Sequence, residues 1–227
     1  MSYLHQFIFG IYPYIALAIF LLGSLIRFDR EQYTWKSESS QLLYRGSLRT
    51  GNILFHVGIL GLFFGHAVGL LTPVWVWDAL GITHSLKQIV AMVAGGVMGG
   101  LCLIGILILL ARRFASDRLR AVTTFKDKIV LLWILATLLL GLFSIYASAS
   151  HTDGHVMVQL MNWAQHILTL RGGAAQFIAD APLIFKLHLF MGMSLFVIFP
   201  FTRLVHVWSG FGTVTYLGRA FQLVRRR

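Results

Sequence analysis

Five long windows almost free of charge, an apolar composition and an uneven sorting of basic residues predict an all-α fold, a polytopic membrane protein built as a five-transmembrane-helix bundle. The chain is 57% hydrophobic and 12% charged, with a mean hydropathy of +0.76. A soluble domain cannot hide that much apolar side chain, so the solvent of this chain is lipid. The windows are 7–26, 52–71, 89–111, 129–147 and 183–201. At about 1.5 Å per helical residue, each covers the ~30 Å of hydrocarbon in a bilayer. Buried helices of a soluble core are the plainer alternative, but the amphipathic stripes expected of them are missing from these windows.

In chain order, window 7–26 has no Lys or Arg before it. It lacks the positive n-region of a cleavable signal peptide and is expected to stay as the first span. Window 52–71 carries His56 and His66. Window 89–111 holds Cys102, the only cysteine, so an intramolecular disulfide is excluded and the thiol is expected as a small core residue. Window 129–147 follows, and then a long polar loop, 148–182, with Arg171-Gly172-Gly173, expected to form an interfacial helix around 155–170. Window 183–201 carries His188 and leads into a basic tail, 202–227, that includes His206. Neither a solenoid-type repeat nor a low-complexity segment interrupts the chain, so 1–227 reads as a single membrane domain.

Sixteen of the nineteen Lys and Arg residues fall on one side of this bundle. Arg27, Arg30, Lys36, Arg45 and Arg49 precede or begin the second helix, and Arg112, Arg113, Arg118, Arg120, Lys126 and Lys128 join the third and fourth. Arg203, Arg219, Arg225, Arg226 and Arg227 follow the fifth; only Lys87, Arg171 and Lys186 lie opposite. By the positive-inside rule the amino terminus is expected outside and the carboxyl terminus in the cytoplasm. Topology and anionic lipid headgroups account for the net charge of +11, so membrane lipid is the implied partner and nucleic acid is not.

Polar side chains in hydrocarbon are costly and have a partner or a task. His56, His66, His188 and His206 need such an account, and from spacing alone two readings stand. They hydrogen-bond to neighbouring helices, with His206 in the headgroup zone, or they are paired ligands of a metal centre. Depth favours pairs. The second span runs outward, placing His66 ten residues, about 15 Å, beyond His56. The fifth runs inward, so His188 is the outer histidine and His206 the inner. His66 is thus expected opposite His188, and His56 opposite His206. Imidazoles on the two faces of a haem iron are a common ligation for electron transfer. One tension remains, because eighteen residues of ideal helix would separate His188 from His206 by about 27 Å. Pro200 is expected to kink or end the fifth helix before His206.

Other features carry less. Gly58, Gly61, Gly65 and Gly69 form a smooth stripe on the histidine helix, and Gly95, Gly96, Gly99 and Gly100 crowd the third span. Such stripes admit a flat ring or another helix. His151, His155 and His166 read as solvated loop residues rather than a metal site, and His5 and His84 as boundary residues.

The stretches Ile11-Tyr12-Pro13-Tyr14-Ile15, Gln32-Tyr33-Thr34-Trp35, Asn52-Ile53-Leu54-Phe55-His56 and Phe199-Pro200-Phe201-Thr202-Arg203-Leu204-Val205-His206 closely resemble the gamma subunit of bacterial respiratory nitrate reductase, a di-haem cytochrome b. The resemblance runs from about residue 7 to the end and takes in Leu101-Cys102-Leu103-Ile104-Gly105, Trp163-Ala164-Gln165, Arg171-Gly172-Gly173-Ala174 and Gln222-Leu223-Val224-Arg225. It implies a subunit of the bacterial cytoplasmic membrane. That subunit oxidises quinol near the outer face and passes electrons through two b haems to an iron–sulfur beta subunit and a molybdenum-containing alpha subunit, where nitrate is reduced. It also implies His66 and His188 as ligands of the distal haem, and His56 and His206 as ligands of the proximal one. Lys87 falls at the family's quinol-contacting lysine, with Gly65 and His66 beside it; the plainer reading is a snorkelling lysine that anchors the third span. Arg112 and Arg203, near helix ends at haem depth, are expected to pair with propionates. Two other classes share part of the pattern. A di-haem anchor of a different reductase, of heterodisulfide or sulfite type, would be told apart by its partner subunits, and a transporter or scaffold by a visible spectrum without haem.

Overall fold

Helix formation through each apolar window is what hydrocarbon demands, since every backbone N–H and C=O must be satisfied within its own segment. The computed structural model describes residues 2–31, 46–115, 124–150 and 153–208. Among them there is helix and no strand, and five helices are long and apolar enough to cross a membrane. These are α1 (Tyr3–Glu31), α2 (Gly46–Leu71), α4 (His84–Ala115), α5 (Phe125–Ala149) and α8 (Leu183–Ile198). The short α3 (Val74–Ala79) joins α2 to α4, and α6 (His155–Leu168) and α7 (Ala174–Phe177) lie between α5 and α8. The basic segments around Lys36, Arg45, Arg118 and Arg120, His151, and the tail from 209 onward lie outside the described residues.

The first helix contains one π-helical turn, Phe7–Ile11, just before Pro13. Proline lacks the N–H that would bond the carbonyl four residues back, at Phe9. The Trp163 indole of α6 donates to that carbonyl at 2.9 Å. This bond seats α6 across the start of α1, where Met161, Trp163, Ala164 and Ile167 are buried. Phe9, Ala174, Ala175 and Ile178 join several of them in one cluster. The helix expected around 155–170 is therefore present, with its apolar face turned into the protein.

The closest packing of the bundle is between α2 and α4, and glycine makes it possible. A Cβ on Gly58 would land on the Cys102 backbone nitrogen and lie 2.6 Å from the Met98 carbonyl. One on Gly105 would meet the Phe55 backbone and stand 2.9 Å from the Gly51 carbonyl. The expected glycine stripe is thus divided. Gly58 and Gly61 face α4, whereas Gly65 and Gly69 face open space. Cys102 is fully buried in the α4–α5 core with Ile106, Val130, Ile134 and Leu138. Side-chain bonds to backbone carbonyls tie α5 further: Gln88 reaches Ser148 at 3.0 Å, and Trp133 reaches Met191 on α8 at 3.0 Å.

The α8 helix ends at Ile198, two residues before Pro200. Two 3-10 turns follow, Phe199–Phe201 and Arg203–Val205, separated by Thr202 in an extended conformation. This segment is held by α1, whose Arg27 donates to the Pro200 and Thr202 carbonyls at 2.8 Å each. Gly23 leaves room for the Pro200 ring, and the Trp208 ring stacks on Phe20 at 5.5 Å.

Alanine at Gly58 or Gly105 is expected to push α2 and α4 apart at a cost of about 1–3 kcal/mol each. Alanine at Gly65 or Gly69 is expected to leave stability unchanged. Thermal unfolding in detergent, compared across the four variants, checks this; equal losses would contradict the division of the stripe.

Candidate functional site

The four intramembrane histidines meet in the two pairs that their depths predict. The His66 and His188 ring centres are 6.0 Å apart, and those of His56 and His206 are 6.3 Å apart. Both His56 and His66 ride on α2, separated by about 15 Å of regular helix. The break after Ile198 reconciles the two lengths: α8 carries His188, and the turns beyond Pro200 bring His206 back beside His56.

The helices that carry these rings do not pack along one another. The main partner of α2 is α4, while α8 packs on α5 and α1. Of the five spans, α2 is also the least buried. The rings therefore approach across a gap rather than inside a helix interface.

Each ring is oriented by one bond. His56 Nδ1 is 2.8 Å from the Asn52 carbonyl, His66 Nδ1 2.7 Å from Leu62, His188 Nδ1 3.0 Å from Thr137, and His206 Nδ1 2.6 Å from Arg203. A carbonyl oxygen only accepts, so each Nδ1 carries a proton, and in the neutral form of the ring Nε2 keeps its lone pair. Burial lowers the His206 pKa, against an opposing pull from the hydrogen bond to the Arg203 carbonyl. Two neutral imidazoles facing each other can take a metal ion between them.

Lys87 does not reach a surface. It is buried, and its ammonium donates to the Gly69 carbonyl at 2.9 Å and to Met161 Sδ at 2.7 Å while lying 4.6 Å from the Trp77 ring centre. The amine is thus held one turn beyond Gly65 and His66 on α2, beside the part of the stripe that faces open space. A snorkelling anchor would instead extend toward water.

At the other end, Asp127 is the residue that the sequence reading missed. It caps α5 reciprocally with Thr124, and its buried carboxylate accepts a bond from Arg203 Nε at 2.6 Å, with Arg113 at 3.7 Å. Its signal in the sequence is a Thr-x-x-Asp capping box at the start of a span, inside a basic segment. Arg112 is buried near the same end of α4. Thr137 and Gly141, which shape the surroundings of His188, carried no signal at all.

The other described histidines lie outside these two pairs. His5 Nε2 donates to the Ala175 carbonyl at 2.8 Å, and His84 lies 3.3 Å from Asp78. His155 opens α6 and His166 sits near its far end with Nδ1 on the Asn162 carbonyl, so these two do not converge. Among the described residues there is no group of three or more His, Cys, Asp or Glu side chains that could hold a metal ion.

Fold and site together define a multi-pass helical membrane protein with two imidazole pairs stacked along one helix. The chain belongs to the nitrate reductase gamma subunit family, whose model matches residues 5–227. It is 49% identical to the respiratory nitrate reductase 1 gamma chain of Escherichia coli (strain K12) over the full length of both chains. It is 46% identical to the respiratory nitrate reductase 2 gamma chain of the same organism, covering 100% of this chain and 99% of that one. Identity to the nitrate reductase gamma chain of Bacillus subtilis (strain 168) is 34%, over 98% of each chain.

Removing a single partner from a buried ion pair costs about 3–5 kcal/mol. Asp127→Ala, which leaves Arg203 and Arg113 without that carboxylate, is expected to lower the unfolding temperature in detergent by several degrees. Asp127→Asn, which keeps an acceptor for the Thr124 and Arg203 N–H groups, is expected to lose less. An Asp127→Ala protein as stable as the wild type would remove the cluster from the account of the fold.

Proposed function

We propose that this membrane subunit of respiratory nitrate reductase oxidises quinol near the outer face and delivers the electrons inward. Their destination is an iron–sulfur beta subunit and a molybdenum-containing alpha subunit on the cytoplasmic side. The orientation, amino terminus outside, rests on the distribution of Lys and Arg. Nitrate is reduced on another subunit, and the basic tail 202–227 contributes to the docking face.

The observation that carries the reading is the pair of imidazole pairs, at 6.0 and 6.3 Å with every Nδ1 proton given to a carbonyl. Two metal–imidazole bonds of about 2 Å and a ring radius on either side come to about 6 Å between ring centres. The donor set therefore suits a bis-histidine haem in each gap. His66 and His188 would hold the distal haem b, and His56 and His206 the proximal one. Bound there, the haems supply one-electron transfer across the membrane. The chain's own part is to keep four rings in register, with each Nδ1–H bond fixing the ring's orientation and raising the basicity of Nε2. Arg112 and Arg203 are the proposed propionate partners, Arg203 sharing its guanidinium with Asp127.

Quinol is proposed to bind beside the distal pair, between Lys87, Gly65 and His66. Open space at Gly65 and Gly69 leaves room for a flat ring, and the Lys87 ammonium, held by the Gly69 carbonyl, can donate to a quinol oxygen. The buried position of the amine favours this role over that of a surface anchor.

Pyridine haemochrome assay is expected to give two protohaems per chain, and fewer in a fully loaded preparation would count against the reading. His66→Ala and His188→Ala are expected to lose the same haem, and His56→Ala and His206→Ala the other. Crossed losses in EPR spectra would overturn the pairing. A lost hydrogen bond to a charged group is worth about 1.5–3 kcal/mol, roughly tenfold to a hundredfold in rate. Lys87→Ala is therefore expected to retain both haems and to lose quinol-dependent turnover on that scale, while nitrate reduction from an artificial dye donor persists. Normal quinol turnover in that variant would sink the site.

A further inference from the structure

The four histidines are not held alike. His56, His66 and His206 each give the Nδ1 proton to a carbonyl of their own segment, at Asn52, Leu62 and Arg203. His188 gives its proton to another helix, to the Thr137 carbonyl of α5 at 3.0 Å. The ring fits there because residue 141 has no side chain. A Cβ on Gly141 would stand 2.9 Å from His188 Cε1 and 3.5 Å from both ring nitrogens.

Residues 137 and 141 are one helical turn apart, so the carbonyl that receives the His188 proton is the one that the Gly141 N–H bonds in a regular helix. A carbonyl oxygen has two lone pairs and serves both. Close approach of the ring to that oxygen requires a bare backbone one turn on. The Thr137 side chain takes no part; its hydroxyl donates to the Trp133 carbonyl at 2.8 Å. One turn before Thr137, the Trp133 indole donates in the reverse direction to the Met191 carbonyl on α8 at 3.0 Å. The two helices are thus joined by two bonds of opposite direction, one made by the His188 ring and one by Trp133.

We propose that the slot formed by Gly141 and the Thr137 carbonyl, with Trp133 next to it, is the positioning element of the distal haem ligand. On this assignment α5, which supplies no ligand, fixes the plane of the His188 ring, tilted 41° to that of His66, and tunes the donor strength of its Nε2. The proposal rests on the reading of His188 as a haem ligand. A methyl group at 141 drives the ring from the slot and breaks its bond to Thr137, whereas nothing at 141 touches His56 or His206.

The test uses the whole membrane-bound complex, with EPR spectra of the oxidised haems and a redox titration of each. Gly141→Ala is expected to lose or displace the signal of the His66/His188 haem and to shift its midpoint potential, leaving the other haem as in the wild type. Gly100→Ala, whose Cβ meets open space, is expected to change neither haem. A Gly141→Ala complex with both signals and both potentials of the wild type would overturn the proposal. Should that variant not accumulate, Trp133→Phe is expected to displace the same signal, and an unchanged spectrum there would overturn it equally. Failure of the ligand reading looks different: His188→Ala would then retain both haems, whatever Gly141→Ala does.

Discussion

A polar ring in hydrocarbon has to satisfy its N–H inside the protein, and the rest of this structure depends on how four imidazoles meet that demand. Each gives its Nδ1 proton to a backbone carbonyl. Three consequences follow from the one interaction. The tautomer is set, the ring is turned to a fixed side of its helix, and Nε2 is left as the acceptor nitrogen. The cost of placing a histidine ring in hydrocarbon is thereby offset.

Helix packing is arranged around the same rings. Glycine lets α2 and α4 approach until backbone meets backbone, which holds α2 from one side without using the edge that carries the histidines. On the opposite side, α8 is held by α5 and α1. The two histidine-bearing segments are thus supported from behind, each by other helices, and face each other across a gap. A flat group needs such an arrangement, because a helix pair in direct contact leaves no room for a ring between them.

Much of this was legible from residue types. Lipid permits only internally bonded helices, so charge-poor windows of sufficient length marked all five spans. Depth along antiparallel spans ordered the histidines into an outer pair, His66 with His188, and an inner pair, His56 with His206, although the two lengths agree only because α8 ends at Ile198. Pro200 announced the end of α8 because a missing N–H is a local property. The glycine stripe was legible only as a surface, without its division into a packed half, Gly58 and Gly61, and an open half, Gly65 and Gly69. Periodicity cannot say which neighbour a face will meet.

Sequence by itself determined the helical class, the number of spans, the side on which basic residues gather and the depth of each histidine, all of which depend on order along the chain. Tertiary structure decided what depends on residues far apart in that order. It brought Arg27 of α1 to the Pro200 and Thr202 carbonyls and Trp163 to the carbonyl orphaned by Pro13. It placed Asp127 against Arg203, buried the Lys87 ammonium on Gly69 and Met161, and seated His188 over Gly141. Each of these is a side chain meeting a backbone or a charge from another helix, and only the packing of the helices determines which backbone or charge it meets.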